Sequence, residues 1–447
     1  MKRIYSLYII WILTMATIQA QTTLKSQPTP PKAKALQKKT RVVDSLTLQY
    51  CYDQTVKNYP LQTQKKLLYR QNSLKQASLR TAQKPQLFLN ASAVYLSDVT
   101  SLPIDLPGGV SMPELSKDRY QATLDINQTL YNGRLTKKQM QAESQQLKAD
   151  QQQIEVQLYQ LKGQVNAYYF NTLLLQANEQ TLAVLEKNLQ NNLQLIKARI
   201  KNGVLLPSDS SLIKAEIIKV HQQIEEVEYN RRASLATLGK LMRVDLPLNT
   251  YLKVPRSNDL PNPVKRPEYQ LFELQKQSLH SMEKVVGATN KPRVSAFAQL
   301  GYGRPGLNQL SNDFEGFYQF GVRLNWRIWD WGNRSRDLQQ LRIKQAMIQN
   351  QQEVFQANLE VQTQKYAHQI EQLERLIQRD EEIIDLRQQI VKSSKAQMKN
   401  GVITTTQYLE QLNEASRAQI MKQTHQVQLL RVKVEYQTLQ GKQGFKK

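Results

Sequence analysis

Tyr318-Gln319-Phe320-Gly321-Val322-Arg323-Leu324-Asn325-Trp326-Arg327-Ile328 alternates between apolar and polar residues at every step. A β-strand turns successive side chains to opposite faces, so Tyr318, Phe320, Val322, Leu324, Trp326 and Ile328 share one side. Val294, Ala296, Ala298, Leu300 and Tyr302 repeat the pattern; Ala122–Asn127 and Leu87–Leu96 carry shorter or weaker versions. Strands of about 9–11 residues suit a tilted bilayer crossing. The same alternation describes a soluble two-faced sheet. Arginines opposite a wholly apolar face, with no spare helix to cover it, favour lipid. Asp125, Asn127, Arg323, Asn325 and Arg327 are then expected to face a lumen. Tyr120, Tyr131, Trp326, Trp329 and Trp331 fall near strand ends and are expected to form an aromatic girdle. Four strands cannot close a barrel, and open edges are not tolerated in lipid. The chain must associate, and three copies supply twelve strands, wider than the roughly eight that leave no room for water.

These strands belong to a duplication. Pro60 and Pro85 are 25 residues apart, as are Pro267 and Pro292. Gly133 to Gly203 spans 70 residues and Gly332 to Gly401 spans 69. Lys201-Asn202-Gly203-Val204 returns as Lys399-Asn400-Gly401-Val402. Each repeat reads helix, two strands, very long helix, returning helix. Proline suits the first position of a helix, and the Lys-Pro step before each strand ends one. Ile154, Leu158, Leu161, Val165 and Tyr168 alternate four and three apart, and Leu182, Leu189 and Ile196 recur every seven. Leu376-Ile377, Ile383-Ile384 and Ile390-Val391 do the same in the second repeat. These are narrow coiled-coil seams set among Gln, Lys and Glu. About 68 residues make a rod of roughly 100 Å, and Asn-Gly supplies the left-handed turn that reverses it.

The expected organisation is a leader over 1–20, a basic Pro-rich flexible segment over 21–43, and a first repeat over 44–244. A Pro-rich connector covers 245–266, a second repeat 267–440, and a basic tail 441–447. Strands are expected near 85–97, 118–131, 292–303 and 317–329, and helical tips near 201–209 and 399–410. The leader rests on Lys2 and Arg3, an apolar Ile4–Ile18 and a cut after Ala20, a run short for a membrane anchor. The loop 97–117, with Pro103, Pro107 and Gly108-Gly109, should be extracellular.

Composition fits long wetted helices, with 7% aromatic residues and a mean hydropathy of −0.57. The formal charge is +24; losing Lys2 and Arg3 leaves 59 basic residues against 37 acidic, or +22. Such a surplus invites a nucleic-acid reading, but the charges lie along helices of an exported chain, so solvated faces are the better reading. Cys51 is the only cysteine, which excludes an intrachain disulfide. His221, His280, His368 and His425 stand singly, with no second metal ligand at helical spacing. No phosphate loop, nucleophile elbow or paired catalytic carboxylate occurs, so neither an enzyme nor a cofactor is expected.

In the order and spacing of its landmarks the chain resembles the TolC-like family. The residues that carry the resemblance are Asn58-Tyr59-Pro60, Pro85-Gln86-Leu87, Tyr131-Asn132-Gly133 and the Asn-Gly turns at 202–203 and 400–401, over about Asp44 to Leu439. The resemblance implies a mainly α fold with a small membrane β-barrel portion: an α-helical barrel, or coiled-coil tunnel, in the periplasm, plus four strands per protomer of a trimeric 12-stranded outer-membrane barrel. It implies an exit duct of a tripartite efflux pump or a type I secretion system. The partners would be a second and third copy, a periplasmic adaptor, an inner-membrane pump of RND, ABC or MFS type and outer-membrane lipid, with no nucleic acid. The tips would form the gate, at Gly203, Asp209, Gly401, Gln407 and Glu410. Family members often carry carboxylates just past the second turn; here those positions hold Gln407 and Glu410, and a latch arginine of some members would fall near Ile403. The alternative is a secreted coiled-coil envelope scaffold or periplasmic adaptor without a pore, which would need separate β modules around one hairpin rather than four strands and two hairpins.

Overall fold

Two proline steps set where each repeat starts. The computed structural model describes residues 45–99, 115–247, 249–255 and 266–440, all within one unit spanning 43–447. The expected leader, the expected flexible segment, half of the connector, most of the loop 97–117 and the basic tail lie outside the described residues. In chain order come β1 (Ser45–Leu46), α1 (Leu48–Asn58), α2 (Leu61–Thr81), β2 (Gln86–Tyr95), β3 (Asp118–Tyr131), α3 (Leu135–Lys201) and α4 (Pro207–Met242). Then follow β4 (Tyr251–Leu252), α5 (Pro267–Val286), β5 (Arg293–Arg304), β6 (Glu315–Asn325), α6 (Asn333–Lys399) and α7 (Thr405–Leu439).

The duplication is visible in three dimensions. α3 and α6 each run 67 residues, about 100 Å at 1.5 Å per residue. Both end in the same motif: Gly203 and Gly401 adopt left-handed φ of 73° and 74°. Val204 N–H then bonds Arg199 C=O at 2.9 Å, and Val402 N–H bonds Gln397 C=O at 2.9 Å. These contacts satisfy carbonyls that a helix end would otherwise strand.

β2, β3, β5 and β6 form one antiparallel sheet in that order. The helices follow it: α2, α3, α5 and α6 are successive neighbours on the strand side, and α4, α3, α7 and α6 on the tip side. Among the described residues, the outer flank of α6 and the outer flanks of α2 and α4 are therefore left without a helical neighbour.

Three departures from the sequence reading have local causes. β6 stops at Asn325 rather than near 329. Asn325 pairs with Arg293, and Pro292 just before it has no N–H to extend the ladder. Trp326 leaves the strand and donates its indole N–H to Asn290 C=O at 3.1 Å. Arg327 is thus a junction residue, not a strand residue. α5 ends at Val286, ahead of Gly287, short of the Lys291-Pro292 step expected to end it. Finally, α1 is a separate helix that the periodicity did not single out. Thr47 caps it, accepting from Tyr50 N–H at 3.3 Å.

α1 anchors the largest core. Leu48, Cys51 and Tyr52 pack with Val165, Tyr169, Phe170 and Leu173 of α3, Leu235, Leu238 and Met242 of α4, and Val427 and Val434 of α7. Tyr169 O–H reaches Lys253 C=O at 2.6 Å, tying in the short β1–β4 ribbon. A second cluster, Leu189, Ile196, Ile213, Val220, Leu409 and Leu412, joins α3, α4 and α7 near the tips. Burial pushes the Cys51 thiol up to about 12. A buried, protonated thiol is a poor nucleophile, so Cys51 should resist maleimide at pH 7.5 in the native protein and label within minutes in denaturant; mass spectrometry of the adduct checks this.

Candidate functional site

The sheet has two chemically distinct faces, fixed by its register. Leu89 pairs with Leu124, Leu124 with Leu300, and Leu300 with Tyr318. Ala298 pairs with Phe320 and Ala296 with Val322. This face is bare: Leu89 is 80% exposed and Phe320 78%. At about 25 cal/mol per Å2, such a surface in water is costly, and patches of this extent mark a membrane or partner face.

The opposite face is knitted by polar side chains across all four strands. Asn90 Nδ2–H of β2 donates to Asp125 Oδ2 of β3. Gln299 Nε2–H of β5 donates to Asp125 Oδ1 at 2.6 Å, and Gln319 of β6 donates to Gln299. Asn127, Arg323 and Asn325 share this face by register. Glycines admit aromatic rings there: Phe297 covers Gly321 and Phe317 covers Gly301, in space a Cβ would fill. The Arg323 guanidinium sits 5.0 Å from the Phe297 ring centre. Four of the five residues expected on the polar side thus share one face, and Arg327 lies beyond the strand.

The aromatic residues divide between the two ends of the sheet. Tyr120 stacks on Phe314 at 6.2 Å at the loop end. Tyr131, Trp326, Trp329 and Trp331 are at the helix end, where Trp329 and Trp331 meet edge to face at 6.0 Å. Asp330 fastens this junction: it accepts from Gly332 N–H at 3.0 Å, Arg334 N–H at 3.1 Å and Asn290 Nδ2 at 2.6 Å.

At the other end of the rods, the structure gives Asp209 and Gln407 capping work. Asp209 accepts from Leu206 N–H at 3.1 Å, at the third position of α4. Gln407 occupies the same place in α7; its Oε1 accepts from Thr404 N–H at 3.0 Å, and Thr404 Oγ1 accepts from Gln407 N–H at 3.2 Å. That is a reciprocal capping box. Gly203 and Gly401 are the turns themselves, and Glu410, in the second turn of α7, is exposed and has no hydrogen-bond or ion-pair partner among the described residues.

Arg199, not singled out from the sequence, ties the two tips together. Its Nη1 donates to Met398 C=O at 3.2 Å and its Nη2 to Lys399 C=O, across the ends of α3 and α6. A guanidinium there meets the negative end of the α6 dipole. Just above, Asn192 Nδ2–H donates to the buried Tyr408 hydroxyl at 2.8 Å, and burial raises that phenol's pKa.

Three of the four histidines each contact one carboxylate: His221 with Glu186 at 2.8 Å, His280 with Glu283 at 3.0 Å and His425 with Asp380 at 2.6 Å. No cluster of three or more metal-ligating side chains occurs among the described residues. No helix among them is long and apolar enough to cross a membrane.

Comparison with known proteins agrees with this geometry. Solved structures share the fold. VceC, an outer membrane protein from Vibrio cholerae, is 14% identical with a TM-score of 0.60, covering 89% of this chain and 97% of that one. A membrane protein from Pseudomonas aeruginosa is 16% identical with a TM-score of 0.64, covering 89% and 91%. The CmeC outer membrane channel of Campylobacter jejuni is 14% identical with a TM-score of 0.60, covering 94% and 96%. A search of curated proteins found no match. The profile of outer membrane efflux proteins matches residues 62–242 and 265–440, one segment per repeat. With both repeats matched, the chain belongs to the outer membrane efflux protein family, a family of channels and not of enzymes.

Proposed function

We propose that three copies of this chain join head to tail into a 12-stranded outer-membrane barrel continued by a periplasmic helical tunnel. This is the exit duct of a tripartite efflux pump or type I secretion system. Substrate passes through unchanged; a periplasmic adaptor and an inner-membrane pump of RND, ABC or MFS type supply selection and energy.

The observation that carries this reading is a pair of complementary open flanks. Among the described residues the sheet ends in free edges at β2 and β6. Beside them, α6 presents an exposed stripe, Ile343, Met347, Val354 and Val361, continued by Ile383, Leu386 and Ile390. α2 presents Leu67 and Leu74, and α4 presents Leu212 and Ile218, on the other flank. Residues seven apart form a seam that wants a partner helix. Matching one flank to the other is a heterologous contact, which closes into a ring when the rotation per copy divides a full turn, here a third. The bare sheet face then meets lipid, and the Asn90–Asp125–Gln299–Gln319 chain of hydrogen bonds lines the bore.

Planar-bilayer recording tests this. The purified protein should give discrete, long-lived conductance steps; a preparation that is silent at all voltages would favour a pore-free envelope scaffold or adaptor.

At the tips, Glu410 is the exposed carboxylate assigned to the pore entrance, since Asp209 and Gln407 are occupied by capping. Three symmetry-related carboxylates at a constriction concentrate cations. Glu410→Gln should lower the cation-over-anion permeability ratio about two- to fivefold, read from reversal potentials in a salt gradient. An unchanged ratio would remove Glu410 from the entrance.

A further inference from the structure

All four helix–strand junctions lie at one end of the sheet, because β2 and β5 begin there and β3 and β6 end there. Residues 82–86, 131–138, 287–293 and 326–337 carry nine Lys or Arg and two Asp. None of the nine is in an ion pair within 4 Å among the described residues, and Arg134, Lys291, Arg293, Arg327, Arg334 and Arg336 are exposed. One of the two acids, Asp330, is already used by Gly332, Arg334 and Asn290. The opposite end is reversed in sign: the loops 96–117 and 305–314 carry one Lys and four acidic residues.

At the β6 junction Arg327, Arg334 and Arg336 flank a bare aromatic pair along the chain. Trp329 is 72% exposed and Trp331 78%, with Ile328 between strand and helix equally open. The Arg336 guanidinium is fixed beside this pair by two neutral acceptors: Nη2 donates to Trp331 C=O at 3.0 Å and Nη1 to Asn333 Oδ1 at 2.9 Å, so its charge meets no carboxylate among the described residues. Indole rings beside unpaired guanidinium and ammonium groups fit the headgroup layer, where the ring meets glycerol and acyl carbons and the cation meets phosphate.

We propose that this junction is a binding collar for anionic phospholipid headgroups of the periplasmic leaflet. It rests on the channel reading, which places this end of the sheet at that leaflet. The charge asymmetry then fixes which way up the barrel sits and holds the helical tunnel square to the bilayer.

The protein contains four tryptophans, Trp11, Trp326, Trp329 and Trp331. With Trp11→Phe, every emitting indole lies in the collar. This protein is reconstituted in mixed vesicles of phosphatidylglycerol and phosphatidylcholine, with bromine on the acyl chains of one lipid at a time. Brominated phosphatidylglycerol should quench more strongly, corresponding to a preference of about threefold or more at low salt. The preference should collapse toward one in 0.5 M salt, where the Debye length shrinks below about 5 Å. Lys291→Gln, Arg334→Gln and Arg336→Gln combined should abolish it while insertion and oligomer size stay as in the parent. Equal quenching by the two lipids in an inserted oligomer would overturn the collar and leave the channel standing. Absence of quenching by either lipid would overturn the channel reading and the collar with it.

Discussion

Phe320→Arg should clear the protein from the outer membrane, with at least a tenfold fall in the heat-modifiable oligomer. Phe320 lies mid-strand in β6 on the bare apolar face, opposite Ala298. Arginine at the lipid-facing midplane of a barrel costs about 2–4 kcal/mol. A ring repeats that penalty three times, for about 6–12 kcal/mol in all, comparable to the whole stability of a typical domain. The neighbouring residue supplies the control. Gln319→Arg puts the same group one position away on the polar face, beside Gln299, and should leave oligomer yield within twofold. Because β6 is remote from the α1–α3–α4 core, circular dichroism of Phe320→Arg in detergent should keep its helical signal. Equal loss in both variants would mean that the strand faces are not chemically distinct in place.

Arg199→Ala should hold the tips open. The guanidinium spans from α3 to the last carbonyls of α6, the one direct side-chain bridge found between the two turns among the described residues. A charge-assisted hydrogen bond contributes about 1.5–3 kcal/mol when shielded, and less at an exposed tip. Taking about 1–2 kcal/mol per subunit, the closed state loses about 5- to 30-fold in weight at each of the sites. The expected result is a several-fold rise in mean conductance in planar bilayers, with Lys201→Ala, two residues on and without such a bond, unchanged. Arg199→Lys should be intermediate, because an ammonium can reach one carbonyl but not fork to two. Conductance equal to the parent in Arg199→Ala would show that the bridge does not restrain the tips.

The strands and long rods were legible because each repeats a local period. Tyr318 to Leu324 alternates on every residue, and the turns at Gly203 and Gly401 announce themselves by Asn-Gly. What could not be read depends on residues far away in sequence. Trp326 and Ile328 continue the alternation of β6, yet Pro292, 34 positions earlier, removes the donor that would have paired them. Arg199 is one of many basic residues on a helix; its partners are Met398 and Lys399, about 200 positions later. Only its place in the last turn of α3 hinted at a carbonyl contact. Asp209 and Gln407 are gate positions by resemblance, while the structure uses both as helix caps; Thr404, three residues before Gln407, is the half of that capping box visible in the sequence. Ile383-Ile384 and Ile390-Val391 read as a single seam. The structure divides it, burying Ile384 and packing Val391 inward while Ile383 and Ile390 face outward. Adjacent apolar pairs every seven residues are therefore the mark of a helix with two neighbours, one in its own chain and one in another.

That second neighbour is the heart of the matter, and native mass spectrometry of the detergent-extracted protein addresses it without intermediaries. Released from its micelle, the particle should weigh three chains, each at most 51.8 kDa, with no monomer until the detergent is replaced by denaturant. A monomer that stays dissolved after the detergent is withdrawn would contradict it, because a single chain leaves both sheet edges and the bare strand face open to water.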